Sequence, residues 1–174
     1  MKAKKTTPKK SPPQKPMSAQ SLENRALYYL QRFSATRQGL RQVLARKLKR
    51  HAGADSDPVA SAAMIDALVA KLEAAGYVDD ARFAESRTAS LTRRGTSQRA
   101  IAAKLRGKGV SAPLVKESLA EHDEQAAAHA FARRKKLGTY RIGATSKERA
   151  RKDLAAMARA GFSFATIRHA LRGG

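Results

Sequence analysis

The sequence has no cysteine, and this absence removes two ways of stabilising a small protein. The chain can form neither disulfide bonds nor thiolate metal sites. Aromatic residues make up only 5% of the 174 residues, so we expect a thin hydrophobic core. There is also no apolar run of about 18 residues, the length that a membrane-spanning helix needs. The sequence therefore predicts a cytoplasmic protein that does not enter a membrane.

Motifs for catalysis and for cofactor binding are missing as well. No glycine-rich phosphate loop precedes a lysine, so ATP hydrolysis by this chain is not expected. Of the four histidines, only His122 and His129 lie on neighbouring helical turns, and no acid or cysteine completes a metal site around them. Asp79 and Asp80 stand at a predicted helix start, where carboxylates favour the helix dipole. We therefore expect no enzyme activity, no cofactor and no metal.

Acidic residues are scarce, and this scarcity points to a polyanionic partner. The chain has 36 lysines and arginines against 14 acids, which gives a formal net charge of +22. Residues 1–20 hold six lysines, four prolines and no acid, a composition that predicts a disordered basic tail. Without the tail lysines a charge of +16 remains. Nucleic acid is the commonest polyanion in a cytoplasm, so DNA or RNA is the expected partner.

One short pattern occurs twice, 52 residues apart. Gly109-Val110-Ser111 returns as Gly161-Phe162-Ser163, and each copy is followed by apolar residues four apart. A glycine that ends one helix, an apolar residue and a serine that caps the next helix are typical of a helical hairpin. A more divergent copy precedes them, with Leu40, Leu44 and Leu48 on one helix. The chain is therefore predicted to be all-α, with about three tandem three-helix repeats forming an elongated, curved body.

Start signals and apolar spacing predict nine helices and no strand. The expected ranges are about 20–33, 36–51, 58–75, 79–93, 96–107, 111–121, 123–136, 145–160 and a last helix after Ser163. The proposed helix starts are Ser34, Asp57, Asp79, Thr96, Ser111 and a Thr145–Glu148 capping box. The predicted division is a tail over 1–20 and repeats over 21–78, 79–122 and 123–174.

Basic residues are concentrated in particular segments, which predicts one positive surface. The segment 34–51 has six basic residues and no acid, and the segment 86–108 has seven and no acid. At 100° per residue, cations on these helices point away from the apolar faces. A basic run at the end of a later helix adds to the set, although cations there also complement the helix dipole. The candidates for contact with DNA or a filament are Arg46, Lys49, Arg93, Arg94, Arg99, Arg106, Lys108, Arg133, Arg134, Lys135 and Lys136.

The Gly-x-Ser pattern also has a rival interpretation, the DNA-binding helix-turn-helix. In that motif the residue four before the turn glycine must be small, so that the recognition helix can cross its partner closely. Leu105 and Met157 occupy these positions, and both are too large. We therefore favour ordinary packed helical hairpins over a helix that reads the major groove.

The central segment resembles a known family. This segment reads Gly76-Tyr77-Val78-Asp79-Asp80-Ala81-Arg82-Phe83-Ala84, followed by Arg93-Arg94-Gly95 and later by Lys108-Gly109-Val110. Together these stretches are similar to the signature of RecX proteins, which are bacterial regulators of the RecA recombinase. The resemblance runs from about Leu22 to Leu171. It implies an all-α protein of tandem three-helix units that binds in the groove of the RecA filament on DNA and restrains strand exchange and ATP hydrolysis.

Three hypotheses follow. The first is a monomeric modulator of the RecA nucleoprotein filament that also contacts single- and double-stranded DNA and acts in recombination, DNA repair and the SOS response. The second is an independent DNA-binding protein of regulatory or architectural type. The third, an enzyme acting on nucleic acid, would need an acid cluster for a metal.

The repeated caps and apolar spacing generate a first prediction. Circular dichroism of residues 20–174 should show a predominantly helical protein with negligible strand content. A substantial β signal would contradict the repeat interpretation.

Overall fold

The fold is described by a computed structural model that covers residues 17–51, 57–143 and 146–172. Within these ranges the chain forms nine α-helices, one short 3-10 turn and no strand. The all-α prediction is therefore confirmed for this part of the chain. The helices are α1 (Ala19–Leu30), α2 (Arg37–His51), α3 (Pro58–Ala74), α4 (Asp80–Arg93), α5 (Gln98–Arg106), α6 (Ala112–Ser118), α7 (Glu124–Lys135), α8 (Lys147–Arg159) and α9 (Phe164–Arg172), with the 3-10 turn at Gly138–Tyr140.

Three helix starts differ from the predicted ones, because a neighbouring hydroxyl forms the cap. Thr36, Ser97 and Ser146 cap α2, α5 and α8, where Ser34, Thr96 and Thr145 were predicted. In each case the capping oxygen accepts a hydrogen bond from the amide three residues later. Glu148, the other member of the predicted capping box, pairs with Lys152. Thr145 itself lies outside the described residues.

The helices without a clear predicted cap also have one. Ser18 accepts from the amide of Ser21 at the start of α1, and Asp123 accepts from the amide of Ala126 at the start of α7. The first helix thus begins at Ala19, inside the range that was predicted as a tail. Residues 1–16 of that predicted tail lie outside the described ranges.

The buried apolar residues form three separate clusters along the chain. The first contains residues of α1, α2 and α3 together with Val78, the second residues of α4, α5 and α6, and the third residues of α7, α8 and α9. Leu105 and Met157, too large for a helix-turn-helix, are fully buried in the second and third clusters. We propose on this basis that each three-helix unit has its own core, with the predicted boundaries near residues 78 and 122.

A buried hydroxyl joins the first unit to the second. Thr36, which is 1% exposed, uses its Oγ1 to cap α2 and also donates to the carbonyl oxygen of Lys108 over 2.6 Å. Asp80, at the start of α4, accepts from the amide of Arg37 at 2.8 Å. The next residue after Lys108 is Gly109, where φ is +83° and a Cβ would lie 1.9 Å from the side chain of Gln38. A larger residue at this position would be strained by the positive φ and would clash with Gln38.

The second unit is joined to the third by the same arrangement. Ser97, which is fully buried, caps α5 and donates to the carbonyl oxygen of Ala160 over 2.6 Å. Glu124, in the first turn of α7, accepts from the amide of Gln98 at 2.7 Å. Gly161 follows Ala160 with φ +95°. The glycine of the repeated pattern therefore has a structural role at both joints, which we call the hydroxyl joints.

The glycine-rich linker between α7 and α8 is held by a buried carboxylate. Asp153, which is 3% exposed, accepts from the amide of Gly138 and from the guanidinium of Arg141. Leu137, at the start of the linker, is buried in the third cluster. The linker is thus attached to α8 at its beginning and near its middle.

The hydroxyl joints generate a stability prediction. Ser97→Ala should lower the free energy of unfolding by about 2 to 4 kcal/mol, because it removes a helix cap and leaves a buried carbonyl without its donor. Ser97→Thr should be tolerated, since threonine occupies the equivalent position at the first joint. Urea unfolding followed by circular dichroism measures the difference.

The matched control for this prediction is Ser146→Ala. Ser146 is an exposed cap with no partner in a neighbouring unit among the described residues, so its loss should cost only about 1 kcal/mol. Equal costs at the two positions would show that the hydroxyl of Ser97 contributes a cap and nothing more.

Candidate nucleic-acid interface

All eleven predicted contact residues are exposed, and none of them forms an ion pair within the described ranges. Other cations are paired with carboxylates: Arg37 with Glu73, Arg41 with Asp66, Lys71 with Glu23, Arg141 with Asp153 and Lys152 with Glu148. The distinction matters because a paired cation is already neutralised, whereas an unpaired one keeps its charge for an external anion.

Three unpaired cations meet in a groove between α2 and α4, which we call the basic groove. Arg46 comes from α2, Arg87 from α4 and Lys108 from the turn after α5. The groove has a volume of about 440 Å³, and no carboxylate lines it. Its other lining residues are Tyr29, Ser34, Ala35, Thr36, Gly39, Gln42, Val43, Phe83, Ser86 and Ser90. Cations with hydroxyl donors between them are suited to the phosphate oxygens of a nucleic-acid backbone.

Helical spacing places these side chains in the groove. Phe83, Arg87 and Ser90 lie at i, i+4 and i+7 on α4, so they share one face. Phe83 is half-buried against the second core and also lines the groove. Arg82 is exposed.

Arg87 lines the groove and is not among the eleven predicted contact residues. It belongs to the acid-free segment 86–108, and its spacing from Phe83 was the available signal. The sequence did not predict that α2 lies beside α4. These two helices are brought together by the first hydroxyl joint.

Acidic side chains of α3, α4 and α6 line clefts on the sides of α2 and α4 that are turned away from the basic groove. A cleft of about 690 Å³ is lined by Glu73, Asp79 and Asp80, and the arginines that also line it, Arg37 and Arg41, are the ones paired with carboxylates. Another cleft, of about 720 Å³, is lined by three acids of α4 and of α6 and its C-terminal turn: Glu85, Glu117 and Glu121. Basic and acidic side chains thus lie on different sides of α4, and the side of α2 that is turned away from the groove carries only paired arginines.

The remaining candidates are exposed outside the basic groove, and several contact other parts of the chain. Arg93 lines the acidic cleft beside Glu117. Arg134 donates to the carbonyl oxygen of Arg94 and therefore connects α7 to the end of α4. The Arg99 side chain approaches Gly161 at the second hydroxyl joint. Lys49, Arg106, Arg133, Lys135 and Lys136 complete the set, with Arg133 over the ring of Tyr140.

Two of the histidines are held by hydrogen bonds to other side chains. His122 Nδ1 lies 2.8 Å from Thr92 Oγ1, and its Nε2 lies 2.8 Å from Glu124 Oε2. His129 bonds to the hydroxyl of Tyr140. In the described ranges no three His, Cys, Asp or Glu side chains are placed to hold a metal ion. The same part of the chain contains no helix long and apolar enough to cross a membrane.

Comparison with known proteins gives consistent matches in sequence. Residues 79–119 match the family model described as RecX, second three-helix domain. The regulatory protein RecX of Myxococcus xanthus (strain DK1622) is 44% identical over 152 residues, which cover 82% of this chain and 80% of that protein. The regulatory protein RecX of Agrobacterium fabrum (strain C58) is 36% identical over 141 residues, covering 81% and 76% respectively.

Solved structures show the same fold. The crystal structure of RecX from Lactobacillus salivarius superposes with a TM-score of 0.67 at 20% identity, over 86% of this chain and 92% of that chain. A crystal structure of regulatory protein RecX superposes with a TM-score of 0.65 at 19% identity, over 87% and 70%.

The basic groove generates a prediction about salt dependence. A groove variant with Arg46→Ala, Arg87→Ala and Lys108→Ala should bind single-stranded DNA with a slope of log affinity against log salt that is shallower by about 2, because three phosphate contacts are lost. Fluorescence anisotropy over a series of salt concentrations measures the slope.

The matched control removes the same number of charges from paired positions. A paired-cation variant with Arg41→Ala, Lys71→Ala and Lys152→Ala should keep the original slope, since each of these side chains already has a carboxylate partner. If the two variants change the slope equally, net charge and not the groove determines DNA binding.

Proposed function

The chain belongs to the RecX family of regulatory proteins, and from this premise we propose that it regulates the RecA recombinase by binding in the groove of the RecA–DNA filament. The family resemblance predicted from the segment Gly76–Ala84 is thereby confirmed. The proposed effect is inhibition of ATP hydrolysis and strand exchange by RecA, and with it of recombination and SOS activity.

The observation that supports this proposal most directly is the basic groove. Three unpaired cations without a neighbouring acid favour phosphate, and the groove lies between two repeats where a strand can pass along the surface. The net charge of +22 adds a long-range attraction to any DNA within the filament.

The acidic clefts support a filament over naked DNA as the target. Carboxylates such as Glu85 and Glu117 would be repelled by phosphates, so their side of α4 is unsuited to DNA. A groove in a nucleoprotein filament offers phosphates and protein walls together. A ligand whose basic groove and acidic cleft lie on different sides of α4 can face both.

We propose that the protein acts by binding and not by catalysis. Both curated relatives are named regulatory proteins, and the groove presents cations and hydroxyls without an acid that could hold a catalytic metal. Its effect on ATP hydrolysis would therefore be exerted on RecA itself.

The second candidate function is independent DNA binding of regulatory or architectural type. It is favoured by the basic groove considered alone, since those cations need no protein partner. The two functions differ in stoichiometry. A protein that competes for DNA must approach saturation of the strand, whereas a filament modulator can affect many RecA protomers from few sites by blocking extension or promoting loss at filament ends.

This difference generates a prediction. With excess RecA filament preformed on long single-stranded DNA, the protein should lower the ATPase rate well below the concentration that coats the DNA. The inhibition should persist when more DNA is added. A titration of ATPase rate against this protein makes the measurement.

The variants defined above serve as controls in the same titration. The groove variant should lose much of the inhibition, and the paired-cation variant should keep it. Inhibition that appears only at stoichiometric coverage, and is relieved in proportion to added DNA, would favour competition for DNA instead.

A further inference from the structure

Helix α1 exposes an aromatic ring beside several cations. Tyr28 is 58% exposed, and the guanidinium of Arg32, one helical turn further on, lies over its ring at 4.8 Å from the centroid. More than half of the residue thus remains accessible although an arginine lies over the ring.

The ring borders a cleft between α1 and α2 that has no acidic lining. The cleft has a volume of about 630 Å³, and Arg25 and Lys47 supply its cations. Hydrogen-bonding groups in the cleft come from Gln20, Asn24 and the hydroxyls of Ser18 and Ser21. Glu23, the acid of α1, is turned to Lys71 and pairs with it over 2.7 Å. The cleft therefore combines an aromatic face, positive charge and polar groups.

We propose that Tyr28, with Arg25, Arg32 and Lys47 around it, is a stacking site for an unpaired base of single-stranded DNA. Every base has an aromatic face that stacks on such a ring, and neighbouring cations hold the backbone on either side. This inference extends the proposed function, on which it rests for DNA as the partner, from contact with phosphates to contact with bases. In a duplex the base faces are covered by stacking, so the site favours single strands.

The position of the site relative to the basic groove supports a nucleic-acid occupant. Tyr29, the residue after Tyr28, lines the basic groove, and so does Arg46, the residue before Lys47. The same two helices thus present the groove on one side and the stacking site next to it. A strand whose phosphates lie along Arg46 has a base within reach of the neighbouring cleft.

Tyr77 provides a matched control on a different surface. It is 59% exposed, close to the value for Tyr28, but it stands between Glu73 and Asp79, which line the cleft with the paired arginines. Loss of an exposed ring at this position should not affect a strand that is attracted by cations.

The experiment compares two probes of equal length and charge, an oligothymidylate and an abasic strand, in the absence of RecA. Tyr28→Ala should weaken oligothymidylate binding by roughly 5- to 100-fold, as expected for the loss of one stacked base. Tyr28→Phe should bind like the original protein because the ring remains. Tyr77→Ala should change neither affinity, and no variant should change the affinity for the abasic strand. Fluorescence anisotropy with labelled probes measures all four proteins.

Two outcomes would overturn the inference. Equal weakening on both probes would show that Tyr28 supports the backbone site or the fold, and an unchanged affinity for oligothymidylate would show that no base stacks there. If Tyr28→Ala instead reduces ATPase inhibition without affecting either probe, the ring contacts protein in the filament. The binding assay contains no RecA, so failure of the proposed function in the ATPase titration leaves this result independent.

Discussion

The hydroxyl shared between repeats is the interaction on which the rest of the structure depends. A serine or threonine hydroxyl has one proton to donate and lone pairs to accept, and Thr36 and Ser97 use both. Each caps its own helix and holds the carbonyl end of a helix in the next repeat. Because the core clusters are separate, these polar joints, together with the helix packing around them, set how consecutive units are placed. At the first joint Thr36 donates to the carbonyl oxygen of Lys108, and Lys108 also lines the basic groove. The joint therefore also positions the groove.

Charge separation across α2 and α4 follows from helical geometry and from pairing. A helix places residues four apart on one side, so one side of α4 can present Phe83 and Arg87 while the other presents Glu85 and Thr88. Pairing then sharpens the difference, because the arginines on the side of α2 away from the groove are neutralised by Glu73 and Asp66 of α3. The net charge of the protein does not by itself say which side of a helix is positive. A surface that carries opposite charges on two sides of one helix gives a bound molecule a preferred orientation.

Local sequence signals were sufficient to predict the helices, but they were insufficient to predict the contacts between helices. Apolar spacing and cap residues predicted the nine helices that the described ranges contain, since both signals act over one or two turns. The choice between adjacent hydroxyls, as with Thr96 and Ser97, was missed because it depends on which one reaches the carbonyl of Ala160 in another repeat. Arg87 was missed for the same reason. Its neighbours in the groove come from segments about 40 residues before it and 20 after it, and no periodicity within one helix connects them.

The hydroxyl joint is directional, and this has a consequence for self-association. A head-to-tail contact that repeats without closing builds filaments, so a chain made of such units has to stop the series. The third unit carries the capping hydroxyl that a further joint would need. Ser146 caps α8 as Ser97 caps α5, and Ser146 is exposed. The first unit does not offer the matching acid at the opposite end, because Ala19 stands in the first turn of α1 where α4 has Asp80 and α7 has Glu124. A second copy that placed its first unit against Ser146 would therefore bring no carboxylate from α1 to the contact.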